Sequence, residues 1–438
     1  MSEIEASLTL PIGPSWVQQM LVWGGVRFRF YGYFHANGID YPQGAFEQVF
    51  YGGNQAVSLE NLADLPADRP KIGILSYDQK NNYERLSSRN IPWIDCPDSR
   101  FFSPEVTIRF TADSAEITGK DPERIAAAIA STRLRTTDSP EGFSLHSSHD
   151  QESYTRLFTN IQNHILEGDI YELNFCMDFH GKLPVCEPER VYLELCAQSP
   201  MPFSALFKAD DLYLCAASPE RFLKKQGNLL LSQPIKGSVK RGDSPEEDAF
   251  LKKKLAESEK ERAENLMIVD LMRNDLSRVA ETGSVTVNEL FGIYAFHRIT
   301  QMISTVSCRL RQEVSFEEIV SKTFPMGSMT GAPKVRSMEL IEAYESFKRS
   351  WFSGVLGYID PSGDFDFCVV IRSIVINQAD RSFYFGVGSA ITLDANATEE
   401  YQECQLKAAP IIQALTKLYP STNSQRNGNT KPDSEKRY

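Results

Sequence analysis

Two pairs of glutamates have the spacing to do chemistry. Glu261 and Glu264 lie in one predicted helix, and Glu400 and Glu403 lie in another. Residues three apart share one face of a helix. If two such faces came together, their carboxylates would form an all-oxygen site of the kind that Mg²⁺ prefers. Spacing alone favours solvated surface for both pairs, because such pairs are common.

A lysine and a glutamate are candidates for proton transfer and covalent chemistry. Lys236 follows an apolar strand predicted at 229–232 and precedes a glycine. In a desolvated pocket its pKa would fall, and the neutral amine would be a nucleophile. The alternative is an exposed loop lysine. Glu220 would either exchange protons with a substrate or form an ordinary salt bridge.

Three further segments have residues suited to binding an anion. Residues 327–334 are mostly small and precede a predicted helix at 333–347, so their N–H groups could face an anion or form a plain junction. Arg372 lies inside an apolar strand, where a guanidinium needs an anionic partner. Gly388 and Ala390 allow either close approach of a ligand or tight packing of strands.

The pattern of apolar residues predicts an α+β fold. Alternation of apolar and polar residues at 26–30 indicates a half-buried strand. Helices are predicted at 245–275 and 398–418, between strand-like runs that do not alternate regularly with them. We therefore expect antiparallel sheets and not a regular βαβ arrangement.

Composition shifts suggest how the chain is organised. A polar stretch at 136–153 is the best linker candidate, so we expect an N-terminal region over 1–150 and a catalytic domain over 151–418. The segment 419–438 has almost no apolar residues, which predicts a disordered tail.

Charge and composition exclude several classes of protein. The 438 residues include 46 basic and 58 acidic side chains, a net charge of −12, which argues against a nucleic-acid partner or an anionic membrane surface. No run approaches 18 apolar residues, so no membrane span is expected. No signal peptide is visible and the eight cysteines are scattered, which predicts a reduced, cytoplasmic protein. An anionic substrate would therefore need local cations or a metal.

Six motifs, in this order, resemble those of the chorismate-utilising enzymes over about residues 153–412. They are SPERF at 218–222, PIKGS at 234–238, ENLMIVDLMRNDLSRV at 264–279, TGAPKVRSMELI at 330–341, DFDFCVVIRS at 364–373 and EEYQECQLKA at 399–408. The resemblance implies a large α+β fold in which antiparallel sheets pack between helices.

The resemblance also implies a metal and a substrate. Mg²⁺ would lie between two acidic helices, with Glu264 and Glu403 as direct ligands and Glu261 and Glu400 binding directly or through water. The metal would hold the ring carboxylate of chorismate, and Arg372 would pair with the enolpyruvyl carboxylate. The substrate-binding positions implied in this way are Gly237, Ser328, Thr330, Lys334, Arg372, Gly388 and Ala390.

Lys236 separates the branches of the family. The anthranilate branch usually has alanine there, whereas the aminodeoxychorismate branch typically has PIKG. In that branch the lysine attacks C2 of the ring as the 4-hydroxyl leaves, and ammonia then adds at C4. Glu220 would handle protons on the leaving and entering groups. The anthranilate branch remains the nearest alternative.

Departures from the family pattern leave a third alternative open. Gln301 stands where the family usually has histidine, and Ala390 replaces the second glycine of a G-x-G. A catalytically silent, chorismate-binding regulatory subunit would tolerate both changes, but it would not need Lys236 or the four glutamates. Because no G-x-C-x-G-x-Q motif is present, ammonia is expected from a separate glutamine amidotransferase subunit.

Overall fold

The computed structural model describes residues 6–135, 141–297 and 299–420. Residues 421–438 of the predicted tail and 136–140 of the predicted linker lie outside the described residues. Tyr419 is buried in the core, and its backbone N–H donates a hydrogen bond to the Leu415 carbonyl at 2.8 Å.

The helices of the described residues lie mainly after residue 150. Their bounds are α1 Trp16–Arg27, α2 Pro122–Ala130, α3 Gln151–Leu166, α4 Pro188–Gln198, α5 Pro245–Ala256, α6 Glu259–Ser277, α7 Phe316–Thr323, α8 Lys334–Tyr344 and α9 Ala397–Leu418. Short 3₁₀ turns cover Leu59–Asp64, Tyr77–Asn82 and Gly327–Met329.

The strands run through the whole described chain. Their bounds are β1 Ala6–Pro11, β2 Phe30–His35, β3 Val49–Gly53, β4 Ala56–Val57, β5 Lys71–Leu75, β6 Ser99–Phe102, β7 Val106–Phe110, β8 Ser114–Gly119, β9 His146–Ser147, β10 Glu172–Lys182, β11 Phe203–Ala209, β12 Leu212–Ser218, β13 Arg221–Gln226, β14 Leu229–Ser232, β15 Ile235–Lys240, β16 Thr286–Ala295, β17 Ile299–Arg309, β18 Gly331–Ala332, β19 Val355–Ile359, β20 Phe365–Val369, β21 Ser373–Asn377 and β22 Ser382–Ile391.

These strands form two large antiparallel sheets. The first has the order β1-β8-β7-β3-β2-β11-β12-β21-β22-β10-β18, with β9 on β10, and the second has the order β15-β17-β14-β13-β20-β19-β5-β6-β4, with β16 on β17. Alternate side chains of a strand point to opposite sides of the sheet. In β11, Phe207 therefore packs into one core and Leu206 into another. The first core lies between the sheets, and the second lies under α3, α4 and α9. This confirms the α+β fold class.

Strands from both halves of the chain share each sheet. In the first sheet β2 pairs with β11, and in the second β5 pairs with β19. Residues before 151 therefore complete the same sheets that carry the later residues. Helices α8 and α9 lie close to their predicted positions. Within the three described ranges, no helix has the length and apolarity to cross a membrane.

Two sequence-based elements are wrong in detail. Helix α1 continues through Val26 and Arg27, so the strand predicted at 26–30 begins only at Phe30. The helix predicted at 245–275 is two helices, because the Ser258 hydroxyl accepts a hydrogen bond from the Glu261 N–H and starts α6. The break places Glu261 in the first turn of a new helix, where the helix dipole favours a carboxylate.

Candidate active site

A cavity of about 740 Å³ lies where the two sheets meet α6 and α9. The structure brings most of the predicted site residues to its wall. They are Glu220, Lys236, Gly237, Glu261, Glu264, Ser328, Arg372, Gly388, Ala390, Glu400 and Glu403. Residues that lie far apart in the sequence therefore surround one space, which is large enough for a small-molecule substrate.

Thr330 and Lys334, which the sequence placed in the substrate pocket, do not line this cavity. The Lys334 ammonium contacts the buried Asp275 carboxylate and the Thr323 carbonyl at 3.0 Å. The Thr330 hydroxyl is buried and donates to the Gly327 carbonyl at 3.1 Å. Both side chains brace the turn before α8, so they hold the loop that carries Ser328.

Local backbone geometry places Lys236 in the cavity. The pairing of β15 with β17 shifts register between Ile235 and Ser238, so the strand bulges at Lys236. Gly237 has a φ of +85°, and a Cβ there would lie 2.8 Å from the Glu261 carboxylate. Glycine at this position therefore lets helix α6 pass directly behind the lysine.

Lys236 is paired with a carboxylate that the sequence-based interpretation missed. Its Nζ lies 2.5 Å from Oε1 of Glu172, and the two side chains are 11% and 1% exposed. Burial lowers the pKa of Lys236, but Glu172 and then Glu264 oppose burial and raise that pKa above its ordinary value. The predicted lowering of the Lys236 pKa is therefore wrong. The signal in the sequence was an acidic residue directly before the mostly apolar residues 173–177 of β10.

Glu220 is buried between β12 and β13 and lines the cavity. The backbone N–H of Ile235 donates to its Oε1 at 3.3 Å. Burial raises the pKa of Glu220 to about 7, although the Ile235 N–H and Lys236 lower it in part. A carboxyl group with this pKa is partly protonated at neutral pH, so it can donate a proton to a substrate or accept one.

The four predicted metal ligands line the cavity but do not converge on one point. Nζ of Lys260 lies 3.5 Å from Oε1 of Glu400, and Nζ of Lys407 lies 2.6 Å from Oε1 of Glu403. In the part of the chain that the structure describes, no three of the four glutamates bring oxygen atoms within 4.8 Å of one another. Two lysines thus hold one glutamate pair in place.

The charges of this cluster still suit a divalent cation. Burial raises the pKa of Glu264 to about 7, and burial followed by Glu403 raises the pKa of Glu400. Partial burial also disfavours the charged form of Glu403, but Lys407 keeps its pKa below the ordinary value. Four carboxylates around one cavity supply the oxygen donors of a Mg²⁺ site, provided that the lysine contacts open.

A second acidic group on the surface is not comparable. His164, Glu167 and Asp169 place ligand atoms close together. However, Nδ1 of His164 is 2.8 Å from Asp169 and Nε2 is 2.8 Å from the Tyr344 hydroxyl. Because both ring nitrogens already have protein partners, this group has no histidine nitrogen left for a metal.

Arg372 is the cation best placed to bind a substrate anion. It adopts a φ of +49° between β20 and β21 and lines the cavity. Across 6–135, 141–297 and 299–420, no carboxylate forms an ion pair with it. Burial lowers its pKa, and Glu403 opposes that effect. A guanidinium without a protein partner is available for a carboxylate of a ligand.

Gln301 is also part of the cavity wall. It lies on β17 opposite Ser238 and is 3% exposed. Its side-chain carbonyl oxygen is buried without a partner among the described residues. The residue that departs from the family pattern is therefore an amide with an unused acceptor facing the site.

The fold and the site together define a class of protein. The chain matches the model of the chorismate binding enzyme family over residues 45–413, and it belongs to that family. The match begins well before the motifs at 218–408 and includes strands of the N-terminal half. The family assignment predicted from the six motifs is confirmed.

Individual relatives refine this comparison. The chain is 39% identical over 66% of its length to the chloroplastic aminodeoxychorismate synthase of Arabidopsis thaliana, of which it covers 31%. It is 32% identical to aminodeoxychorismate synthase component 1 of Escherichia coli (strain K12), over 81% of this chain and 78% of that protein. The chain thus spans about a third of the plant relative and most of the bacterial one.

Solved structures agree on the fold. The chain superimposes on anthranilate synthase component I from Streptococcus pneumoniae TIGR4 with a TM-score of 0.71 and 23% sequence identity. The superposition covers 94% of this chain and 93% of that one. At this level of identity the likeness concerns the fold alone.

Proposed function

We propose that the chain converts chorismate and ammonia to 4-amino-4-deoxychorismate, as an aminodeoxychorismate synthase component 1. The observation that carries the proposal is the position of Lys236, which lines the same cavity as Glu220 and Arg372. The names of the relatives support amination of chorismate, and the lysine favours the C4 branch over the anthranilate branch.

Substrate binding would use the cations of the site. The Arg372 guanidinium would pair with the enolpyruvyl carboxylate of chorismate. Mg²⁺, held by Glu261, Glu264, Glu400 and Glu403, would when bound neutralise the ring carboxylate. Lys260 and Lys407 pair with Glu400 and Glu403, so binding of a metal by these two glutamates would require those ion pairs to open.

The chemistry would proceed in two displacements. First the neutral amine of Lys236 bonds to C2 while the C4–O bond breaks, and the protonated Glu220 delivers its proton so that water leaves. Ammonia then bonds to C4 while the C2–N bond breaks, which releases the lysine amine. The Glu220 carboxylate takes a proton from the new C4 ammonium, and the net reaction exchanges a hydroxyl for an amino group.

Ammonia would come from a partner. The "component 1" in the name of the bacterial relative implies a second component, and we infer that it is a glutamine amidotransferase subunit. The product would serve as precursor of 4-aminobenzoate and folate. A cytoplasmic location stays a prediction.

Product analysis tests this function. The purified chain with chorismate, Mg²⁺ and ammonium should form 4-amino-4-deoxychorismate, whereas glutamine in place of ammonium should give none. A 2-amino product identified by chromatography and mass spectrometry would assign the chain to the anthranilate branch. Tight chorismate binding without turnover would support the silent regulatory subunit.

Glu220→Gln tests the proton donor. We expect kcat to fall by roughly 10²–10⁴-fold, because an amide cannot transfer the proton. In the parent, kcat/KM should decline as pH rises above about 7, since the protonated carboxyl is the active form and its pKa is about 7. The variant should lose that decline.

Glu189→Gln is the matched control for this experiment. Burial raises the pKa of Glu189 to about 7 as well, but this residue lies on α4, away from the cavity. It should keep the parent's pH profile. An unchanged profile in Glu220→Gln would show that another group donates the proton.

A further inference from the structure

Glu172 is held more firmly than an ordinary surface carboxylate. It is the first residue of β10 and pairs with Ala332 of β18. Its backbone carbonyl accepts a hydrogen bond from the Ser337 hydroxyl at 3.4 Å, and a Cβ on Gly331 would lie 2.2 Å from the same carbonyl oxygen. This tight backbone packing gives the side chain a defined direction.

The Glu172 side chain has one partner. Its Oε1 accepts from the Lys236 ammonium at 2.5 Å, while Oε2 is buried without a partner among the residues that the structure describes. Burying a carboxylate costs free energy when one of its oxygens has no hydrogen-bond donor, and a buried ion pair contributes little to stability. The pair therefore calls for a functional explanation.

The proposed reaction needs two proton movements of opposite direction. Lys236 must lose a proton before it bonds to C2, and the 4-hydroxyl must gain one as it leaves. Glu220 cannot do both at once, because a carboxyl group that donates its proton must already carry it. A second group close to the amine, and separate from Glu220, is required.

We propose, on the basis of the amination function above, that Glu172 is a positioning residue that aims Lys236 at C2 and accepts its proton. Lys236-NH₃⁺ and the Glu172 carboxylate become the neutral amine and the carboxylic acid. The amine then bonds to C2 as Glu220 protonates the leaving hydroxyl. When ammonia at C4 displaces the lysine, the released amine takes its proton back from Glu172, and both groups return to their starting state.

Glu172→Gln separates this role from simple packing. Glutamine has nearly the same shape and still accepts a hydrogen bond from Lys236, but it cannot accept the proton. With saturating ammonium and Mg²⁺, we expect kcat for 4-amino-4-deoxychorismate to fall about 100-fold or more while KM for chorismate stays within about threefold. Glu172→Asp restores the acceptor and should recover at least about tenfold of that loss.

Asp178→Asn is the matched control. Asp178 is a fully buried carboxylate on the same strand and pairs with His180 at 2.9 Å, outside the cavity. Its kcat should stay near the parent value, with folding of all variants checked by thermal unfolding. Parent-like kcat in Glu172→Gln overturns the proposal. Equal losses in Glu172→Gln, Glu172→Asp and Asp178→Asn also overturn it, since they indicate damage to the strand.

The same assay separates this inference from the function on which it rests. If the parent itself forms no 4-amino product, the proposed function fails, and the Glu172 role falls with it. If the parent forms the product and only the Glu172 variants behave otherwise than expected, the function stands and the inference alone is wrong.

Discussion

Lys236→Ala is expected to lower the rate of 4-amino-4-deoxychorismate formation by about 10³-fold or more, because the variant has no amine to attack C2. The loss should appear in kcat, measured with saturating ammonium. Chorismate without ammonia should leave a covalent ring adduct on the parent peptide that contains Lys236. Mass spectrometry of the digest should find no adduct in the variant.

Lys236→Arg decides between covalent and electrostatic roles. Arginine keeps the positive charge and can still pair with Glu172, but it is essentially never a neutral nucleophile. We expect the arginine variant to be as inactive as the alanine variant. Product formation at the parent rate would mean that the lysine only attracts the substrate, and covalent catalysis would be wrong.

The raised pKa of Lys236 sharpens this prediction. The structure pairs the ammonium with Glu172 at 2.5 Å, so the free site favours the charged form. Covalent catalysis therefore requires the proton to be removed during the reaction and not before it. A lysine that was already neutral would need no neighbouring acceptor.

Glu264→Gln and Glu403→Gln are expected to abolish activity at sub-saturating Mg²⁺, with a loss on the order of 10²-fold or more. A neutral amide is a poor ligand for Mg²⁺, and the four carboxylates supply the negative charge of the site. Chelation of the parent with EDTA should have the same effect, and added Mg²⁺ should reverse it. Turnover over a Mg²⁺ titration measures both.

Asp270→Asn is the control for the metal experiment. Asp270 lies on the same helix as Glu264, is 75% exposed and pairs with Arg273 at the surface. This variant should need no more Mg²⁺ than the parent. Full activity of Glu264→Gln at sub-saturating Mg²⁺ would remove the residue from the metal site.

Most of the predicted residues that line the cavity were named from the sequence, through local spacing taken together with the six motifs that resemble the family. Three-residue spacing places Glu400 and Glu403 on one face of α9, and the sequence also shows a glycine after Lys236. The start of α5 has a local cause as well, because the Ser244 hydroxyl accepts a hydrogen bond from the Glu247 N–H. These features depend on backbone geometry over a few residues, which the order of residue types largely determines.

Only the tertiary structure decided which of these groups meet. The contact of Lys236 with Glu172 joins residues 64 apart in the sequence. The Lys334 ammonium contacts the Asp275 carboxylate, which folding places beside it. The pKa of Lys236 could not be predicted either, since burial and several carboxylates act on it with opposite sign. Burial and charge at a site are sums over residues that only folding brings together, so local patterns show which side chains are capable of chemistry and not what surrounds them.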